Sequence, residues 1–274
     1  LAPEIPNNAA SLAPFETFAP EGSILNAPPP APVALRHVIG HMIPDTLYDA
    51  LDKLLPGLVP AEGAGSLCNF VVSLRPRMDA PAPEGARRAE VLTFNSGGAG
   101  ARPGLDGLNA TAFPSGVMTM PVEATEQVGP ILIRRKELRP DSGGAGRTRG
   151  GLGQHMEVAA HEGHEFDISA MFDRVNHPAR GRRGGAGGAP TTIGRDDGEP
   201  MRGKGRQFVP HGRAVVMAFP GGAGYGPPEE RPAEAVARDV ALGYISAETA
   251  RDVYGMDAET AADVLARARR GEVF

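Results

Sequence analysis

The sequence predicts an α+β fold: a β-rich mixed core with Gly-rich loops at its strand ends and helices near both ends of the chain. Three observations carry this. Short runs rich in Val, Ile, Leu and Phe recur as SLCNFVVSL (66–74), RAEVLTF (88–94), PILIRRKEL (130–138) and RAVVMAF (213–219), each of strand length and too short for a packed helix. The last three feed into glycine clusters, NSGGAGARPGLDG (95–107), PDSGGAGRTRGGLG (140–153) and FPGGAGYGPP (219–228). Helical patterning is gathered toward the two ends, most clearly in PAEAVARDVALG, which Pro232 opens and Gly243 closes.

Taken in order, the proline cluster NAPPPAPV (26–33) leads into an amphipathic segment. Leu35, Val38, Ile39 and Met42 recur there at helical spacing, and Leu47, Leu51, Leu54 and Leu55 follow. Pro44 between them lacks an N–H and crowds the preceding turn, so it is expected to kink this helix or start a second one. The runs at 66–74 and 88–94 are expected as strands across a turn-rich connection. HMEVAAHEGHEFDISAMFDRV (155–175) reads as a hairpin, with Met156, Val158, Ile168, Ala170 and Phe172 alternating inward around a turn at 162–164. The glycine-rich stretch 179–205 is long enough to be mobile and could equally be a packed loop. Two further short helices are expected to begin near Ser246 and Asp257, where AETARDV and AETAADV echo each other as similar helix starts. Residues 1–274 are expected to form one domain with a helical tail at 232–270.

Composition bounds the function. A formal charge of −5 with both signs mixed along 274 residues argues against nucleic acid as a partner. No apolar run reaches the length of a membrane span, and nothing at the start resembles a secretory signal. The single Cys68 excludes an internal disulfide and a Cys-based metal cluster, and suits a reducing, cytoplasmic setting. Only Lys53, Lys136 and Lys204 among 28 basic residues are lysine, so arginine here is weaker than usual as a sign of function. A chain that opens at Leu1, in loop-like sequence, is expected to be a piece of something longer.

Several short motifs fail on chemistry. GEPMRGKG (198–205) lacks the Ser or Thr of a phosphate-binding loop and a convincing helix after it. HEGH (161–164) separates its histidines by two residues, not the three of a zinc-protease helix, and is better read as a polar turn. No cluster carries a dinucleotide fingerprint or a serine-nucleophile elbow. Two readings of the glycine clusters remain. In one, successive N–H groups of Gly143 and Gly144 form an anion nest beside Arg102, Arg147 and Arg149, with Asp106 and Asp141 orienting the arginines or handling a proton. In the other, the glycines supply positive φ, Asp141 and Ser142 cap a turn, and the arginines make surface pairs. Glu123 and Glu126 of PVEATE are either a solvated helix start or site carboxylates.

APEGSILNAPPPAPV, NSGGAGARPGLDG, PVEATE, RPDSGGAGRTRGGLG and FPGGAGYGPPEERPAEAVARDVALGYISAETARDVYG, in this order, resemble the carboxyl-terminal half of the hydantoinase B/oxoprolinase family. The resemblance implies a B-type subunit of an ATP-dependent hydantoinase or oxoprolinase. Such a subunit hydrolyses a cyclic amide C–N bond after phosphorylation by a partner A subunit with an actin-like ATPase fold. It places ATP and Mg on that partner, and any divalent-metal ligands in the amino-terminal half of the B-type chain, outside this one. It favours the anionic reading of Arg102, Gly143, Gly144, Arg147 and Arg149, with Asp106, Asp141 and Glu123 as catalytic carboxylates. The alternatives are an acetone-carboxylase-like ligase and a non-catalytic scaffold chain. Met120, where the family usually has asparagine, and Ala223, where it has glycine, leave the substrate open.

Overall fold

The computed structural model describes residues 6, 8–33, 36–65, 67–81, 84–111 and 113–272; Leu35 of the expected helical stripe lies outside them. Its elements run α1 (Ala9–Leu12), α2 (His37–Leu51), β1 (Asn69–Pro76), β2 (Ala89–Thr93), α3 (Val122–Glu126), β3 (Ile131–Leu138), β4 (Gln154–Ala160), β5 (His164–Met171), β6 (Thr192–Arg195), β7 (Lys204–Val209), β8 (Ala214–Ala218), α4 (Ala233–Ala241), α5 (Ala247–Asp252) and α6 (Ala258–Arg269). The α+β class expected from the sequence is the one observed.

The strands form two four-stranded sheets, in the orders β2-β1-β5-β7 and β3-β4-β8-β6, with every pairing antiparallel. Their apolar faces share one core. Phe70, Val72, Phe166 and Ile168 come from the first sheet; Ile131, Met156, Val158, Val215 and Met217 come from the second. Phe172 sits between them, edge-on to Phe70 at 6.1 Å and to Phe219 at 5.7 Å. All three rings are 0–1% exposed, so each contributes on the order of 3–5 kcal/mol against truncation to alanine.

The expected hairpin at 155–175 is corrected. β4 pairs with β3 and β8, whereas β5 pairs with β1 and β7, so the turn at 161–164 carries the chain from one sheet to the other. The alternation itself holds. Both strands turn their apolar residues into the same core from opposite sides, and a period of two is blind to that difference. α2 runs unbroken through Pro44, so no second helix starts there, and the Thr46 hydroxyl donates to the Met42 carbonyl. GEPMRGKG leads into strand β7 rather than a helix, and Lys204 pairs with Asp173 at 2.6 Å.

Beyond the strand ends, the chain builds a lattice from segments 60–64, 97–101, 142–153, 179–189 and 219–226. Backbone bonds cross between them: Ala64 N–H to Gly98 O, Gly98 N–H to Pro220 O, Gly151 N–H to Ala99 O, Gly222 N–H to Gly151 O, Gly144 N–H to Gly222 O and Ala186 N–H to Ala145 O, all 2.7–2.9 Å. The glycine-rich stretch after residue 179 is thus packed. The glycines here serve a purpose other than the expected positive φ. Gly98, Gly144, Gly222 and Gly224 lie outside the left-handed region, and a Cβ on any of them would overlap a carbonyl oxygen, those of Gly151, Ala186, Ala99 and Ala145 respectively. Bare backbone is what lets these strands of chain lie so close.

The helical segment after residue 232 has its own apolar cluster of Val236, Val240, Ile245, Ala250 and Val264. The echo in its sequence is two N-caps, with Ser246 accepting from Thr249 N–H and Asp257 from Thr260 N–H.

Candidate functional site

α2 lies on the lattice by its polar face. His37, His41, Asp45, Asp49 and Asp52 recur at the spacing that puts them on one side of a helix. His37 meets Asn69 at 2.9 Å, and His41 is buried, which lowers its pKa. The three aspartates face the arginine-rich segment 174–183. Asp45 pairs with Arg174 at 2.7 Å, Asp49 with Arg180 at 3.1 Å and Asp52 with Arg183 at 3.1 Å. Of the apolar positions that the helical spacing singles out, Val38, Ile39, Met42 and Leu51 are half-buried, and Leu47 in α2 and Leu54 just beyond it are exposed.

Asp45 is the most perturbed of these groups. Burial pushes its carboxyl up to about 6, against the pull of the Arg174 guanidinium and the Gly63 N–H. Arg174 bridges it to a second buried carboxylate, Glu62, at 3.1 Å, and also donates to the carbonyls of Gly63 and Ala64. Arg174 holds this position at φ 58°, a left-handed conformation that costs a non-glycine residue about 1–2 kcal/mol; its hydrogen bonds to two carboxylates and two carbonyls offset that strain. The Asp45 side chain stands in the wall between two cavities. One is an open cleft of about 770 Å³ that also holds Glu62, Arg174, His177 and Arg180. The other is smaller, about 190 Å³, and is lined by Ala61, Ala99, Arg102, Leu108 and Phe113.

The residues expected at a site fall into different surroundings, with Arg102, Asp106 and Arg149 joined by hydrogen bonds. Arg149 and Asp106 belong to a buried charge network. Arg149 pairs with Asp239 at 3.1 Å, Arg231 pairs with Asp239 at 2.6 Å and with both Asp106 oxygens at 2.8 Å, and Asp106 accepts the Arg149 N–H at 2.7 Å. Burial alone would raise the Asp106 carboxyl, but the hydrogen bonds and charge of Arg231 together with the Arg149 N–H and guanidinium outweigh it and hold the group below the usual carboxylate range. Asp141, at φ 58°, accepts the Ser246 N–H at 2.9 Å and so ties its loop to the residue that caps α5. Arg147 is exposed and pairs with Glu230 at 3.1 Å. Arg102 donates to the Asp106 carbonyl at 3.1 Å. Glu123 lies exposed in the first turn of α3, while Glu126 accepts the Ile133 N–H. Gly143 and Gly144 are lattice positions, and the N–H groups of Gly144, Arg147, Thr148, Gly150 and Gly151 are engaged by backbone carbonyls of this chain.

No three His, Cys, Asp or Glu side chains among the described residues lie together as a metal site. No described helix is long and apolar enough to cross a membrane.

The sequence profile of the hydantoinase B/oxoprolinase family matches residues 1–228. The chain belongs to that family. This family member is 29% identical over 259 residues to the B chain of a putative D-/L-hydantoinase from a Pseudomonas strain, covering 92% of this chain and 42% of that protein. It is also 29% identical over 213 residues to the acetophenone carboxylase delta subunit of Aromatoleum aromaticum, covering 62% of this chain and 30% of that one. Among solved structures it resembles the ATP-dependent caprolactamase of Pseudomonas jessenii, with a TM-score of 0.73 at 26% identity, over 91% of this chain and 46% of that chain. The hydantoinase B/oxoprolinase chain described here therefore spans less than half the length of the relatives it matches. Asp45, Glu62 and Arg174, which shape its two cavities, do not stand out in the sequence. The one available signal is three acidic residues at helical spacing, Asp45, Asp49 and Asp52, set in an otherwise apolar helix.

Proposed function

We propose that this chain forms part of a B-type subunit of an ATP-dependent cyclic-amide hydrolase. The observation that carries the reading is the family match across the whole glycine lattice, supported by the likeness to the caprolactamase structure. An A-type ATPase is the proposed partner, together with the remaining portion of the B-type subunit and a small-molecule substrate. ATP, held with Mg on the A-type partner, supplies the phosphoryl group that activates the ring carbonyl. Any divalent-metal ligands are proposed to lie outside this chain.

Within this chain the proposal separates the expected residues by their surroundings. Arg102, which lines the smaller cavity, is proposed to meet an electron-rich oxygen. Asp106 and Arg149 act as positioning residues, since both are committed to the network that includes Arg231 and Asp239. Gly143 and Gly144 give the lattice its close packing. Glu123, Asp141 and Arg147 are exposed and face whatever packs on this surface.

The test is reconstitution with the A-type partner and the rest of the B-type subunit, followed by ATP-dependent opening of hydantoin, N-methylhydantoin, 5-oxoproline and caprolactam. Ring opening of at least one is expected. If none is opened while ketone is consumed in a bicarbonate-dependent manner, the chain serves a carboxylase-type ligase instead, the second reading favoured by the likeness to the carboxylase delta subunit. Arg147→Lys in the same complex separates site from surface. A lost guanidinium fork should lower turnover if Arg147 contacts an anion, and stability should change by less than about 1 kcal/mol because its ion pair is exposed. Unchanged turnover removes Arg147 from the site.

A further inference from the structure

We infer that the smaller cavity between α2 and the glycine lattice is a binding site for a small ring amide, with Asp45 accepting the ring N–H and Arg102 facing the carbonyl oxygen. This assignment rests on the cyclic-amide reading above and names where in this chain the ring would sit.

Size is the first observation. A volume of about 190 Å³ is the liquid share of roughly six water molecules. That is room for a five- to seven-membered ring. Lining chemistry is the second. Ala61, Ala99, Leu108 and Phe113 present carbon to the cavity, and Asp45 and Arg102 are the two charged side chains among its lining residues. A small polar head on an apolar body is what a pocket of few convergent polar groups on apolar walls selects. A lactam has that form, with methylenes on one side and an N–H beside a C=O on the other.

Fixed geometry is the third observation. Asp45 is held on its far side by Arg174 at 2.7 Å and by the Gly63 N–H at 3.3 Å. Those two bonds occupy one site on each carboxylate oxygen and leave further lone pairs for a ligand donor. Phe113, one wall of the cavity, is held against α2 by its stacked contact with Tyr48 at 6.4 Å. On the lattice side of the cavity a Cβ on Gly100 would overlap the Ala61 carbonyl oxygen, so the backbone there is close-packed. The cavity is therefore built before any ligand arrives, so little ordering cost falls on binding.

The charged and titratable groups around Asp45 are Arg174 and Glu62 on the lattice side, His41 and Asp49 one turn away along α2, and Arg102 lining the same cavity. With its carboxyl raised to about 6, Asp45 changes from acceptor to donor in mildly acid solution. Binding of a ring N–H should then weaken as pH falls below 6.

The experiment is calorimetric titration of hydantoin, 5-oxoproline and caprolactam into this protein and into two variants, at pH 7.5 and pH 5. At least one ring amide is expected to bind. Leu108→Trp, which fills the cavity from an exposed position, should abolish binding without a change in melting temperature. Asp45→Asn should weaken it at least tenfold and remove the pH dependence. Binding that survives Leu108→Trp, or no binding of any of the three rings, overturns the assignment. The two proposals fail separately. Ring opening by the reconstituted complex that is indifferent to Leu108→Trp sinks the cavity and leaves the proposed function standing. A ring amide bound by this protein, lost in Leu108→Trp, with no ring opening by the complex, leaves the cavity and sinks the function.

Discussion

At the scale of single residues, glycine is needed here for two different reasons, and substitution distinguishes them. A Cβ at position 222 would overlap the Ala99 carbonyl, with backbone on every side and no flexible side chain to move. Gly222→Ala should therefore destabilise the fold by about 3 kcal/mol or more, through forced separation of packed segments. Gly198, at φ 86° with nothing within 4 Å of an added Cβ, should cost only about 1–2 kcal/mol when changed to alanine, from backbone strain alone. Urea melts of the two variants check the ordering. Titration at Asp45 gives a second outcome. Its carboxyl is raised from 3.8 to about 6 in the folded chain, so the fold prefers it protonated. The stability it contributes is full below pH 3.8 and lost as pH rises through about 6. Asp106 has the opposite sign: its carboxyl is lowered, so its contribution is present above the ordinary carboxylate range and lost as pH falls through its own lower value. Asp45→Asn should remove a decline in melting temperature between pH 4 and 6, and Asp106→Asn should remove one at more acid pH.

At the scale of elements, the helices attach by charge more than by apolar area. α4 reaches the lattice through Asp239, 1% exposed, which pairs with both Arg149 and Arg231. Removing one partner of a buried pair leaves the others charged in a poor solvent, at a cost of about 3–5 kcal/mol. Asp239→Ala should lower the melting temperature and speed amide exchange through residues 233–269, while exchange in β1, β4 and β5 stays slow. Equal acceleration in those strands would mean that the network also supports the two sheets. α2 follows the same logic. Its Asp45 is buried against the arginine-rich segment 174–183, while Leu47 is left exposed. Helical spacing was legible in the sequence, but the buried face was not. The usual inference that apolar residues point inward assumes an apolar partner, and α2 packs against guanidinium groups.

At the scale of the whole molecule, two antiparallel sheets around one core position a lattice of bare backbone, and the cavities lie where α2 crosses that lattice. The sequence by itself determined much of this. Alternation in the four apolar runs located β1, β2, β3 and β8, Ser246 and Asp257 marked two helix starts, and the ordered glycine motifs identified the family. It also showed that glycine was concentrated for a reason, though positive φ was the wrong reason for most of the lattice. Tertiary structure decided the rest, because the deciding interactions join distant positions. Asp45 and Arg174 are 129 residues apart and Asp106 and Arg231 are 125 apart. Arg149 reads locally as a clamp beside glycines, yet its partner Asp239 is on a helix 90 residues later. β4 and β5 read as a hairpin because inward alternation is the same whether two strands share a sheet or face each other across a core. A one-dimensional pattern records which side of an element is buried. What that side is buried against depends on where the chain returns, and only the folded backbone fixes that.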